Sequence, residues 1–274
     1  MKRPMLNLLV MILLILVIPG TGFTSSGDLS GPELKYGKKS EIKLFNGKSL
    51  DGWYTYIKDR GKNVDPKKVF TVQNRMIRIS GEEFGCITSN DEFENYKITV
   101  VFKWGEITHE PRIDKARDSG LLLHSVGEDG GSDGTWMHSI ECQIIEGGTG
   151  DFIVVGDGSR NFSVTCPVAP VQQGGSHVFQ PSGNMVTINS GRINWFARDP
   201  GWKDIKGFRG TEDIEKHVGK WNRIECIVKD KEIIVYLNGT LVNHAFDVKP
   251  QKGRIQIQSE GAEIFFKRIV LNPL

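Results

Sequence analysis

The sequence predicts an all-β protein, an antiparallel two-sheet sandwich of the jelly-roll kind. From Glu41 onward it breaks into short runs of β-branched and aromatic residues separated by clusters of Gly, Asn, Asp and Pro, the pattern of many strands joined by turns. Helical periodicity is confined to TEDIEKHVG (211–219), a short candidate with Thr211 as N-cap and Gly219 as stop. Nothing repeats at a period of about 20–50 residues, which argues against propellers and solenoids. Many strands with hairpin-length spacers and few helices leave sheet-on-sheet packing as the architecture.

The runs read as strands are, in order, KVFTV (68–72), RMIRIS (75–80), YKITVVFKW (96–104), SGLLLHS (119–125), HSIECQIIE (138–146), DFIVVG (151–156) and NMVTI (184–188). RINWFA (192–197), WNRIECIVK (221–229), EIIVYL (232–237), TLVNHAF (240–246), GRIQIQS (253–259) and EIFFKRIVL (263–271) complete the series. Asn238-Gly239 between two of them is a strong hairpin signal, because both turn positions need a positive φ. Two Gly-rich stretches, 104–118 and 156–184, exceed ordinary loop length and are expected to be functional rim loops.

The chain has 274 residues, 25% charged and 38% apolar, with 32 Gly against 11 Pro. That is a globular composition, which excludes collagen-like, coiled-coil and wholly disordered chains. Residues 1–26 have a basic start (Lys2, Arg3), an apolar run from Leu8 to Ile18 and a Pro-Gly break, the pattern of a secretory signal peptide. The run is shorter than the roughly 20 residues of a spanning helix, and no cysteine lies near the cut to carry a lipid. Residues 27–40 read as a flexible lead-in and 41–274 as a single domain, secreted or periplasmic, with no integral membrane segment after cleavage.

Lys plus Arg total 35 and Asp plus Glu 33; without Lys2 and Arg3 the balance is 33 to 33, unsuited to nucleic acid. Cys86, Cys142, Cys166 and Cys226 match no zinc spacing, and an oxidising compartment leaves three pairings or free buried thiols open. G-x-S-x-G, P-loop, H-E-x-x-H and G-x-G-x-x-G motifs are all missing, which removes those hydrolase, NTPase, zincin and dinucleotide chemistries.

Four stretches in order, LFNGKSLDGW (44–53), DSGLLLHS (118–125), SIECQIIEGGTGDF (139–152) and GRIQIQSEGAEIFFKRIVLNPL (253–274), resemble the 3-keto-disaccharide hydrolase domain family over about residues 41–274. The resemblance implies a concanavalin A-like jelly roll, shared with lectins and family-16 glycoside hydrolases, and a saccharide or glycoside substrate outside the cytoplasm. The family-16 motif E-x-D-x-x-E reads here Glu141-Cys142-Gln143-Ile144-Ile145-Glu146, with an amide in the central place. Glu141 and Gln143 share a strand face, whereas Glu146 faces the other side unless a bulge re-aims it. A two-carboxylate pair therefore needs that bulge.

A sugar oxidised at C3 has an acidic proton on C2. Removing it lets the group on C1 leave by β-elimination, and water can then add to complete net hydrolysis. Glu141 is the expected base, Gln143 a polar orienter, and His124 a second acid/base or a ligand to a divalent metal, the one cofactor left open. Each has a plainer alternative: a structural salt bridge for Glu141, an edge-of-sheet histidine for His124. His138 shares its face with Ile140 and Ile144 and is expected to be structural.

Trp136 is expected to stack on a pyranose, unless it is core, and Arg117 and Asp118 to bind hydroxyls, unless they form a surface ion pair. For Gln258 and Glu260 the resemblance suggests a sugar-facing position, against a solvated strand end. Trp53 is expected in the core, and Glu128, Asp129 and Asp133 in a solvated loop rather than a Ca²⁺ site, since the EF-hand spacing is missing. A non-catalytic carbohydrate-binding module and a conventional glycosidase using Glu141 and Glu146 remain the rivals.

Overall fold

Apolar residues at every second position give each run one face for a core, and two such sheets can bury those faces against each other. The computed structural model describes residues 40–274; the expected signal peptide (1–26) and all but the last residue of the lead-in lie outside the described residues. The strands are β1 (Ile42–Lys43), β2 (Trp53–Ile57), β3 (Gly61–Lys62), β4 (Phe70–Gln73), β5 (Met76–Ile79), β6 (Gly85–Ser89) and β7 (Tyr96–Thr108). Then come β8 (Asp118–Val126), β9 (His138–Ile145), β10 (Phe152–Val155), β11 (Ser163–Val168), β12 (His177–Val178) and β13 (Asn184–Ile188). Last are β14 (Gly191–Asn194), β15 (Asn222–Lys229), β16 (Glu232–Leu237), β17 (Thr240–Lys249), β18 (Arg254–Ser259) and β19 (Ala262–Pro273).

They form two sheets. One runs β13-β11-β17-β16-β15-β7-β19-β5-β4, with β1 also on β19; the other runs β12-β14-β10-β9-β8-β18-β6-β2-β3. Pairing is antiparallel except between β12 and β14, which are parallel. The core between the sheets takes Ile98, Val100 and Phe102 from β7, Ile224 and Val228 from β15, Leu121 and Leu123 from β8, and Ile140 and Ile144 from β9. Trp53 is 8% exposed and joins this core, as its sequence context suggests.

All thirteen runs read as strands are strands, and the six others are mostly short. Asn238 and Gly239 have φ of 52° and 91° and close the β16–β17 hairpin. Two expectations are corrected. Residues 211–219 form turns, not a helix: a nine-residue helix is marginal alone, and side chains take its amides instead, Asp199 that of Thr211, Asp213 that of Glu215 and Asn222 that of Lys216. The stretch 156–184 is not one long loop, because β11 inserts between β13 and β17, and β7 likewise extends to Thr108 in the other stretch.

The four cysteines are free and buried. Cys142 and Cys226 meet thiol to thiol across the core, and burial pushes the Cys86 thiol up to about 12. A thiol reagent is therefore expected to label no cysteine in the native protein and four after denaturation, with a melting temperature indifferent to reductant. A thiol count below four in denaturant without reductant would overturn this.

Candidate functional site

Strand register lays out the residues on the outer face of the second sheet. Arg192 of β14 pairs with Ile153 of β10, Ile153 with Glu141 of β9, Glu141 with Leu122 of β8, and Leu122 with Gln256 of β18. Directly opposed residues share a face. One step along the same face are Gln143, paired with Gly120, and Gln258. Yet Glu141 and Gln143 keep only 4% of their surface and Gln258 2%, so these strands are buried on both faces. Arg112 and Trp136 enter from the loops before β8 and β9, enclosing a groove of about 370 Å³ that Asp118 and Glu260 also line.

Burial pushes the Glu141 carboxyl well above the usual carboxylate range; repulsion from Glu260 adds to this and attraction by Arg192 opposes it. Asp118 contacts Arg112, which also lies 3.2 Å from Asp204 and 3.6 Å from Glu260. One guanidinium thus faces three carboxylates. Burial outweighs it, and Asp118 and Glu260 are raised as well. Glu141 Oε1, Asp118 Oδ1 and Gln258 Oε1 are buried with no hydrogen-bond partner. Buried acceptors are normally satisfied, so three open ones lining a groove are a surface suited to ligand hydroxyls. The Gln143 carbonyl oxygen accepts from Ile144 N at 2.9 Å, which leaves its amide NH₂ as the free donor.

Gly120 makes this convergence possible. A β-carbon there would overlap both Glu141 Oε1 and Gln258 Oε1, so only hydrogen at position 120 lets the two oxygens meet above β8. Trp136, 8% exposed, stacks on Phe84 with centroids 6.5 Å apart and forms an apolar cluster with Leu122, Val155 and Cys86 beside the acids. An apolar wall next to hydrogen-bonding groups complements a sugar ring, which has both kinds of surface.

Three expected site residues lie elsewhere. Alternation from Leu122 would put His124 in the groove, but the strand is irregular between Leu123 and Val126 and His124 has φ of 54°. Its ring packs edge-on against Tyr96 with Nδ1 2.6 Å from Pro250 O, and burial lowers its pKa to about 4. It is neutral and does not line the groove. Arg117 and Glu146 are a buried ion pair at 2.7 Å rather than a surface pair, and neither lines the groove. Arg117 also donates to Gly105 O, and Glu146 accepts the amides of Arg117 and Gly207, next to a separate small cavity with Trp104 and Glu215. Glu146 thus lies past the end of β9, away from Glu141. His138 packs against Phe162, as a structural residue would.

The sequence reading overlooked Arg112 and Arg192. Arg192 was discoverable: Ile193 faces the core, so its neighbours Arg192 and Asn194 must face outward. Arg112 had only the length of its loop to mark it. Among the described residues no group of three or more His, Cys, Asp or Glu side chains is arranged to hold a metal ion. Asp129 of the acidic loop accepts from the Tyr54 hydroxyl at 2.9 Å instead.

The strands thus build an all-β sandwich of two largely antiparallel sheets with a polar groove on the outer face of one. The chain belongs to the 3-keto-alpha-glucoside-1,2-lyase-like domain family, which matches residues 40–272. No curated protein sequence matches it. A crystal structure from Parabacteroides distasonis, provisionally named a glycosyl hydrolase, shares the fold at 17% identity and a TM-score of 0.50, over 85% of this chain and 94% of its own. The Bacillus licheniformis β-glucanase superposes at TM-score 0.43 and 12% identity, over 88% and 100% of the chains. The carbohydrate-binding module CBM66 of Bacillus subtilis gives 0.42 and 13%, over 81% and 95%.

Gly120→Ala is expected to displace Glu141 and Gln258 and to cost about 1–3 kcal/mol through overpacking, measured by denaturant unfolding; unchanged stability would count against the tight convergence. A second outcome concerns pH. The Glu141 proton is held more tightly in the folded than in the unfolded chain, so its contribution to stability is fully present below about pH 4.3 and is lost as pH rises toward the raised folded value. Glu141→Gln never ionises, so its stability relative to wild type should climb between about pH 4.3 and neutrality. A difference that stays flat would mean that the carboxyl is not shifted.

Proposed function

We propose that the protein is an exported enzyme that cleaves 3-keto-glycosides by abstraction of the C2 proton and β-elimination, followed by addition of water for net hydrolysis. The observation that carries this reading is the Glu141 carboxyl, desolvated, open at Oε1 and lining the groove. Proton removal from carbon is favoured by a base stronger than an ordinary carboxylate, and the raised pKa makes the ionised form of Glu141 such a base. Arg192 lowers the cost of ionising it. When Glu141 takes the C2 proton, the electrons of the C–H bond form the C2–C3 double bond of an enolate with its charge on the 3-keto oxygen; their return restores the C3 carbonyl and forms the C1–C2 double bond as the C1–O bond breaks.

Negative charge that develops on the 3-keto oxygen meets the Gln143 amide and the Arg192 guanidinium, donors already lining the groove. The leaving oxygen takes a proton from Glu260, whose own raised pKa keeps it an acid. Two nearby carboxyls that repel each other share protons as a pair, one poised as base and one as acid. A conventional two-carboxylate glycosidase built on Glu141 and Glu146 finds no support, because Glu146 is engaged by Arg117 outside the groove. Export is the reading of residues 1–26, whose basic start and apolar run have the signal-peptide pattern.

Product analysis by NMR with a glucoside and its 3-keto derivative, with and without EDTA, tests the proposal. Cleavage of the keto sugar alone is expected, and loss of it with EDTA would bring in a divalent metal. Glu141→Gln should lower kcat/KM by about 10²–10⁴-fold, and the acid limb of the wild-type pH profile should lie above about pH 4.3. Cleavage of the unmodified glucoside, or full activity of Glu141→Gln, would overturn the mechanism; binding without turnover of either sugar would favour a lectin-like module.

A further inference from the structure

The first sheet has a cavity on its own outer face, about 510 Å³, on the side of the sandwich away from the groove. Ile98, Val100 and Phe102 of β7 point into the core, so Lys97, Thr99, Val101 and Lys103 point outward. Val101 pairs with Arg223 of β15 on one side and with Arg268 of β19 on the other, which sets a guanidinium on each flank of β7. The β7–β19 register shifts between Phe266 and Arg268. That bulge leaves Lys267 and Arg268, consecutive in sequence, both exposed and both lining the cavity. Lys216 enters from the loop before β15.

Among the described residues that line this cavity, Lys97, Lys216, Arg223, Lys267 and Arg268 are cations and none is Asp or Glu. Lys97 and Arg223 share Glu225 at 3.2 and 2.6 Å, and Arg268 lies 3.0 Å from Glu41. No Asp or Glu among the described residues forms an ion pair with Lys103, Lys216 or Lys267. Instead the ammonium groups of Lys267 and Lys103 stand 4.3 and 5.1 Å from the Trp221 ring centre, an attraction that neutralises neither. Apart from Lys2 and Arg3 the chain is balanced at 33 to 33, so this excess is charge separated onto one face rather than a share of general basicity. Lys97 and Lys103 are six residues apart on one strand, roughly 20 Å at the strand rise. One small anion cannot span that distance, whereas a chain with repeated anionic groups can.

Two neutral groups sit among these charges. The Thr99 hydroxyl and the Asn272 amide line the cavity, and neither side chain has a hydrogen-bond partner among the described residues. Hydroxyl and amide between cations match sugar hydroxyls between anionic groups. A single-stranded nucleic acid stacks its bases on aromatic rings, but the indole here already carries two ammonium groups. A surface that enters a bilayer inserts large apolar side chains, and none of the exposed large apolar residues lines this cavity. We propose that this face binds an acidic polysaccharide, with carboxylate or sulfate groups repeated along its chain, and so holds the protein on the polymer while the groove on the opposite face stays open. The proposal rests on no reading of the groove.

The test titrates the protein calorimetrically with lightly sulfated dextran, polygalacturonate and plain dextran. At least one of the two acidic polymers should bind and plain dextran should not, with affinity falling at least tenfold as salt rises from about 50 to about 500 mM. The tighter of the two acidic polymers identifies the anionic group. Lys103→Glu combined with Lys267→Glu should weaken binding at least tenfold. Lys216→Glu, at an exposed loop position where folding is not at issue, should weaken it at least threefold alone. Lys58→Glu combined with Lys62→Glu, which changes the net charge equally at the far edge of the other sheet, should stay within twofold. Failure of both acidic polymers to bind, equal binding of plain dextran, unchanged affinity of Lys216→Glu, or an equal loss in the Lys58 and Lys62 control would overturn the proposal. So would tighter binding of single-stranded DNA or of phosphatidylserine vesicles than of either acidic polymer.

Discussion

A carboxyl group shut away from water with no counter-ion in contact is the constraint around which this sheet face is organised. Glu141 can hold that position because β8, β9 and β18 are covered on both faces, and because position 120 carries no side chain. A buried carboxyl in such a place responds by keeping its proton, and its neighbours respond in kind: Asp118 and Glu260 are shifted in the same direction. The result is a cluster of acids whose proton affinity is set by the depth of the groove.

The arginines divide into two kinds by what holds them. Arg117 is fully engaged by Glu146 and Gly105, and that pair fastens the end of β9 to the loop before β8. Arg112 and Arg192 have less exclusive partners and line open space, so their charge reaches the acids and any molecule that enters. A buried pair of the first kind contributes geometry, and a shared guanidinium of the second kind contributes field. The groove needs both: strand ends that do not drift, and positive charge near carboxylates that must at some moment ionise.

Much of the fold was legible because alternation is a short-range property. Each long strand showed its period within a few residues, and the Asn-Gly hairpin declared itself locally. The weakest signals were strands such as β3 and β12, two residues each, which cannot display a period. In the site, alternation correctly joined Glu141 and Gln143 and correctly set Glu146 apart. It failed at His124, where one residue with positive φ reverses the facing that the count from Leu122 requires. Arg117 failed for another reason: next to Asp118 in sequence it faces oppositely, so two adjacent polar residues went to opposite sides of one strand end. The Arg112 contribution depends on a loop crossing to another strand, a distance that no sequence window spans.

The pairing of β7 with β19 has a consequence for how the molecule is made. Tyr96 lies against Pro273 and Thr108 against Ala262, so the longest strand finds one of its two neighbours only in the last segment of the chain. Its other neighbour, β15, also comes after more than a hundred intervening residues. On a ribosome, β7 would emerge early and wait, apolar and unpaired, while well over half of the chain was still to be added. Non-local pairing of this kind makes folding slow, and exposed strand edges invite wrong partners meanwhile. The sheet that contains β7 therefore cannot be completed before β19, the last strand, is made.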